Sequence, residues 1–111
     1  MFSDGSNYEG EFHKDQIFGS GTYIDKNDNK HLVESGKGYF ENCKINGFGR
    51  ILFSNRDLYE GEFKDGDFSG YGVMRYRGME NPYYNQVYDH EGVYYGYWKM
   101  GRREGQGRML W

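Results

Sequence analysis

The chain has 111 residues with a formal net charge of −3, 18 Gly, no Ala, and 22 aromatics made up of 12 Tyr, 8 Phe and 2 Trp. A pI near 5.6 excludes a general nucleic-acid binder, because phosphate binding needs a basic face. No apolar run approaches membrane-spanning length, and the single Cys43 excludes an internal disulfide and fits a reducing, cytoplasmic compartment.

Leu, Ile, Val and Phe together supply only 20 residues, so Tyr and Trp must provide the buried surface that aliphatics usually give. Tyr and Phe favour strand, and the absence of Ala disfavours helix, so the fold class is all-β.

In chain order, a frame appears at Tyr8-Glu9-Gly10-Glu11-Phe12 and is completed by Gly19-Ser20-Gly21. It returns as Gly36-Lys37-Gly38-Tyr39-Phe40 with Gly47-Phe48-Gly49, then as Tyr59-Glu60-Gly61-Glu62-Phe63 with Gly70-Tyr71-Gly72. The last copy is Tyr94-Tyr95-Gly96-Tyr97-Trp98 with Gly105-Gln106-Gly107. A fixed internal period marks a repeat array, in which each unit buries apolar surface only against its neighbours. The spacing predicts one array over residues 1–111, with repeats near 8–30, 36–58, 59–76 and 94–111 and an insertion at 77–93.

Within each unit the alternation has period two, which is strand geometry. Tyr8, Gly10 and Phe12 fall on one face, as do Ile17, Gly19, Gly21 and Tyr23, while Glu9 and Glu11 fall on the other. Lys64-Asp65-Gly66-Asp67 is a hairpin signal between two such runs. The expected hairpins are 8–13 with 18–24, 36–41 with 46–52, 59–64 with 69–76, and 94–99 with 104–110. A Gly between aromatics leaves room for a neighbouring ring to lie flat on the sheet.

Two connections exceed the minimum. The first places a polar loop at Lys26-Asn27-Asp28-Asn29-Lys30. The second, within 77–93, holds the sole Pro together with Tyr83, Tyr84 and Tyr88, and insertions in repeat proteins often collect on a binding face. Phe2 to Tyr8 aligns with Phe53 to Tyr59, and Trp111 aligns with Phe53. Both ends therefore fall at the same phase of the repeat, as in a four-unit array or a block of a longer one.

The frame Tyr-x-Gly-x-(Trp/Phe) followed by Gly-x-Gly at about 23 residues resembles the MORN repeat (membrane occupation and recognition nexus), over nearly the whole chain outside the insertions. The resemblance implies an elongated rod of stacked β-hairpins forming one single-layer, twisted antiparallel sheet. It further implies that Tyr8, Phe12, Phe40, Tyr59, Phe63, Tyr94 and Trp98 line or support a groove. Tyr23 shares that face, and with Tyr83, Tyr84 and Tyr88 it completes the candidate partner-binding set. Copy two departs from the pattern with Gly36 at the Tyr position, and copy four has Arg103 where Ile17, Ile45 and Phe68 stand.

Catalytic constellations are missing. His13, His31 and His90 are scattered, and Asp89-His90-Glu91 is too compact a run to converge on a metal ion. Gly-x-Gly lacks the helix N-terminus of a phosphate cradle. The Glu9/Glu11 and Glu60/Glu62 pairs read as solvated. No enzyme, metal or cofactor is expected.

The expected function is a protein–protein interaction scaffold whose aromatic face takes an extended or helical segment. By the family resemblance it would belong to a cytoskeletal, ciliary or membrane-associated assembly. One alternative is an anionic-lipid or acidic-partner module using Lys99, Arg102, Arg103 and Arg108, the basic end of an otherwise acidic chain. Another is a regulatory array of a larger enzyme such as a lipid kinase or a methyltransferase. The edge strand Arg108-Met109-Leu110-Trp111 is a further candidate, for homodimerisation through the C-terminal end.

Overall fold

Alternation of ring or Gly with polar residue, broken every few residues by a Gly-bearing turn, dictates short antiparallel strands. The computed structural model describes residues 5–13, 16–34, 36–41, 43–77 and 91–110. These form β1 (Asn7–His13), β2 (Gln16–Ile24), β3 (Lys30–Val33), β4 (Gly38–Glu41), β5 (Lys44–Leu52), β6 (Leu58–Lys64), β7 (Asp67–Arg77), β8 (Glu91–Lys99) and β9 (Arg102–Leu110). All pair antiparallel in one sheet of order β1-β2-β3-β5-β6-β7-β8-β9, with β4 lying between β2 and β5 beside β3. The molecule measures 43 × 26 × 19 Å, an elongated all-β array of stacked hairpins.

One inner face carries the core of Val33, Phe40, Ile45, Ile51, Phe53, Tyr59, Phe63, Phe68, Met74, Tyr76, Tyr94 and Trp98. The rings cover one another. Tyr59 stacks on Phe68 with centroids 4.0 Å apart and meets Phe63 and Trp98 edge-on at 5.0 and 5.5 Å. Aromatic pairs in these geometries add stability beyond their buried area.

The Tyr-x-Gly frame follows from how that Tyr lies. Gly61 pairs with Gly72 across β6 and β7, and the ladder slips by a bulge between Gly61 and Phe63. The Tyr59 ring lies over this glycine pair, where a Cβ at Gly72 would overlap its hydroxyl. The hydroxyl donates to the carbonyl of Glu62, the bulge residue, at 2.9 Å. A bulge takes a carbonyl out of the regular ladder, and a buried one must find another donor. Tyr8 donates to Glu11 at 2.8 Å and Tyr94 to Tyr97 at 3.2 Å, at equivalent bulges.

Of the four Glu residues expected to be solvated, Glu11 and Glu62 also bond across the bulge. Glu62 Oε2 accepts the Tyr71 N–H at 2.6 Å, and Glu11 Oε2 accepts the Ser20 N–H at 2.7 Å. The hydrogen bonds from Ser20 hold the Glu11 carboxyl below its ordinary value. The first Gly of Gly-x-Gly answers the same geometry. Gly70 has φ +74°, a left-handed conformation that side chains resist.

Copy two corrects two sequence expectations. The four hairpins predict eight strands, and nine form among the described residues, because the first strand of this unit is split into β3 and β4. His31 pairs with Ile51 as Tyr59 pairs with Met74, so His31 and not Gly36 holds the Tyr position. Between β3 and β4 the Lys37 N–H bonds the Glu34 carbonyl at 3.2 Å, and Asp25 to Asn29 is a tight turn closed by Asp25 N–H to Asn29 carbonyl at 3.0 Å. Gly38 and Phe40 then pair with Gly47 and Ile45.

Candidate functional site

Burial overturns part of the expected binding set. Phe40, Tyr59, Phe63, Tyr94 and Trp98 are core, covered by rings of their own and adjacent units, so a partner cannot reach them. Trp98 also donates from Nε1 to the Gly72 carbonyl at 3.3 Å, which fixes unit four on unit three. Burial pushes the Tyr59 hydroxyl far above the ordinary phenol range, with the Glu62 charge adding to the effect. Tyr8 and Tyr23 are half-buried and pack against this core, while Phe12 is 55% exposed. Tyr83, Tyr84 and Tyr88, with most of the 77–93 insertion, lie outside the described residues.

The basic set divides. Lys99 and Arg102 face each other across the β8–β9 turn, and Arg103 pairs with Trp98 on the inner side, its guanidinium 5.4 Å from the Tyr94 ring centroid. Arg108 pairs with Tyr95 at the other end of β9, so it does not belong to one patch with the other three. At the turn itself Met100 is 75% exposed, and Lys99, Met100, Arg102, Arg103 and Glu104 line a shallow depression.

The outer face carries the surface that sequence reading missed. Tyr71 and Tyr97 are cross-strand partners on β7 and β8, both exposed, with rings edge-to-face at 5.6 Å. They line a groove of ≈ 550 Å³ together with Tyr95, Gln106, Arg108 and Leu110. Exposed aromatics beside a cation suit peptide contact, because rigid rings anchor with little entropy loss. The signal was present in the frame. The x residue of Gly-x-aromatic is Glu11 and Glu62 in units one and three but Tyr97 in unit four. The x of Gly-x-Gly is Ser20 in unit one but Tyr71 in unit three.

Ionisable groups elsewhere have structural partners. His31 lies 3.0 Å from Asp25, and Glu91 pairs with Arg77 at 3.4 Å. Among the described residues no group of three or more His, Cys, Asp and Glu side chains is placed to hold a metal ion. Nor is any described helix long and apolar enough to cross a membrane.

A family model described as MORN repeat matches residues 8–30, 59–78 and 94–111, more than half of the chain. The unmatched stretch between the first two includes the split strand of copy two. No curated protein matches the chain.

Proposed function

Since this chain belongs to the MORN-repeat family, we propose that it is a non-enzymatic protein–protein interaction scaffold that binds a partner segment on the outer face of its C-terminal half. The observation that carries this reading is the Tyr71–Tyr97 pair with Tyr95, Arg108 and Leu110 around one groove. Large rings left in solvent at positions where unit one holds Ser20 and Glu11 answer no packing need, although Tyr39 and Phe48 of unit two are exposed at the same frame positions. The partner fitting them is an extended or helical segment with apolar side chains and an acidic group for Arg108. A place in a cytoskeletal, ciliary or membrane-associated assembly of the cytoplasm accords with such a rod.

The test replaces these rings by the residues of unit one, as Tyr71→Ser with Tyr97→Glu, so that the sheet keeps side chains its own frame already accepts. Parallel affinity capture with the unchanged chain and this variant should retain a protein on the first and lose it on the second. Identical captures would remove the outer groove from the function.

A second reading rests on Met100. An exposed apolar side chain flanked by Lys99, Arg102 and Arg103 has the chemistry of a contact with an anionic lipid surface. Sedimentation with phosphatidylserine vesicles at low salt, lost in Arg102→Glu with Arg103→Glu, is the outcome this reading requires. Failure of the unchanged chain to sediment ends it.

A further inference from the structure

We propose, resting on the outer-face reading above, that the segment taken by this groove is a short acidic amphipathic α-helix lying along β8, between Arg75 of β7 and Arg108 of β9.

Alternation and register set the surface. On β7, Tyr71, Val73 and Arg75 alternate with buried Gly72, Met74 and Tyr76. On β8, Val93, Tyr95 and Tyr97 alternate with buried Gly92, Tyr94, Gly96 and Trp98. Val73, Tyr95 and Arg108 fall in one row across the three strands, and Arg75, Val93 and Leu110 in the next. Tyr71 and Tyr97 begin a third row. From Val93 to Tyr97 the middle strand therefore presents apolar side chains only, with one arginine on either side of it. The Arg77–Glu91 ion pair at 3.4 Å closes one end, and Glu60 and Glu62 of β6 bound the flank beyond β7.

The backbone of this face is already used. β7 pairs with β6 and β8, and β8 pairs with β7 and β9. A segment laid on the face finds no main-chain partner there, and a buried N–H or C=O without one is costly. A helix satisfies its own backbone and brings a continuous apolar stripe against the rings. An extended segment must keep its backbone in water, as polyproline II does, and so presses less of its surface on the face. Size agrees, since Val93 to Tyr97 spans about 13 Å of strand, the length of about nine helical residues.

Charge agrees too. Arg50 and Arg77 on this face pair with Glu34 and Glu91, whereas Arg75 and Arg108 have no ion-pair partner among the described residues. Carboxylates along the two borders of the helix's apolar stripe would meet one arginine each.

The test is a selection of displayed random peptides of about 16 residues, long enough to hold a helix, on the unchanged chain. Peptides that also bind Tyr71→Ser with Tyr97→Glu are removed. The enriched sequences should carry apolar residues at i, i+3, i+4 and i+7 bordered by Asp or Glu, and a synthetic copy should gain helical circular dichroism on binding. Arg75→Glu with Arg108→Glu should weaken that copy by about tenfold or more. Exchanging its acidic residues for Lys should restore binding to this variant, which also shows the variant to be folded. The four substituted side chains are all exposed, so the core is kept. Enrichment of proline-rich or strictly alternating sequences, or no enrichment, would overturn the helix. So would a synthetic copy indifferent to the arginine reversals, or a dimer of the chain that Tyr71→Ser with Tyr97→Glu disperses, which would give the face to a second copy. The affinity capture decides the groove separately: a protein lost from that capture while the selection returns no helix keeps the groove and removes only this occupant.

Discussion

Asp57 Oδ1 accepts the backbone N–H of Arg77 at 2.7 Å, joining the turn before β6 to the end of β7, 20 residues away. Asn29 does the same one unit earlier, its Oδ1 accepting the Ser54 N–H at 3.0 Å. Among the described residues Ser6, Asn29 and Asp57 are the buried polar ones, and each stands two positions before the Tyr8, His31 and Tyr59 phase of its unit. The hairpin turns on the opposite rim are tied as well, Gly66 N–H to the Ile45 carbonyl at 2.9 Å and Gly101 N–H to the Phe68 carbonyl at 3.1 Å. The array is therefore fastened along both rims as well as through its ladder.

Asp57→Ala should destabilise the chain by about 1–3 kcal/mol, the cost of leaving a backbone donor without its partner. Asp57→Asn, which keeps the accepting oxygen that Asn29 uses, should cost clearly less. Urea midpoints of the two variants provide the check, and equal losses would show that the charge and not the acceptor matters.

Tyr59→Phe should cost about 1 kcal/mol, the loss of the hydroxyl bond to Glu62. Tyr59→Ala should cost about 3–5 kcal/mol, because it leaves a cavity among Phe63, Phe68 and Trp98. Gly72→Ala should be damaging at the same site by about 1–3 kcal/mol through overpacking against Tyr59, despite adding only a methyl group. Thermal melts would distinguish these, and a neutral Gly72→Ala would refute the flat-ring account.

Cys43 sits at φ +64° in the β4–β5 turn, where the corresponding turns place Gly66 at +85° and Gly101 at +81°. A left-handed conformation costs a residue with a side chain about 1–2 kcal/mol, and Gly is spared it. Cys43→Gly should therefore raise stability by up to about 1 kcal/mol after the added chain entropy of Gly. A lower urea midpoint for this variant would count against the turn assignment.

Stability should fall on acidification through His31 and Asp25. Burial holds His31 below its ordinary value of 6.5, although the Asp25 carboxylate pulls it upward. At Asp25 burial acts to raise the pKa, but the hydrogen bonds from His31, Asn29 and Asn27 outweigh it and hold the carboxyl below 3.8. At each site the folded state binds a proton less readily than the unfolded chain. The His31 contribution is complete above pH 6.5 and is lost as pH drops through 6.5 toward the folded value. The Asp25 contribution is present above pH 3.8 and is lost below it. Urea midpoints should decrease from about pH 7 to about pH 5, and His31→Gln should flatten that slope. An unchanged slope in the variant would place the effect elsewhere.

The sequence by itself determined the repeat, the strands and the hairpins, because Gly spacing and period-two alternation are local properties that act within a few residues. Tyr8, Tyr59 and Tyr94 could be matched to Gly10, Gly61 and Gly96 without any coordinates. What the sequence could not decide is which face of a strand is covered, since alternation separates two faces without ranking them. Both faces here carry aromatics, and only the stacking of Phe63, Phe68 and Trp98 around Tyr59 made one of them core and left Tyr71 and Tyr97 outside. Copy two failed for a related reason. Gly36-Lys37-Gly38 imitates the frame, while the true occupant of the Tyr position, His31, is revealed only by its long-range pairing with Ile51. The rim bonds from Asn29 and Asp57 likewise join residues 25 and 20 apart in sequence, and only the folded stack of units brings them within hydrogen-bond distance.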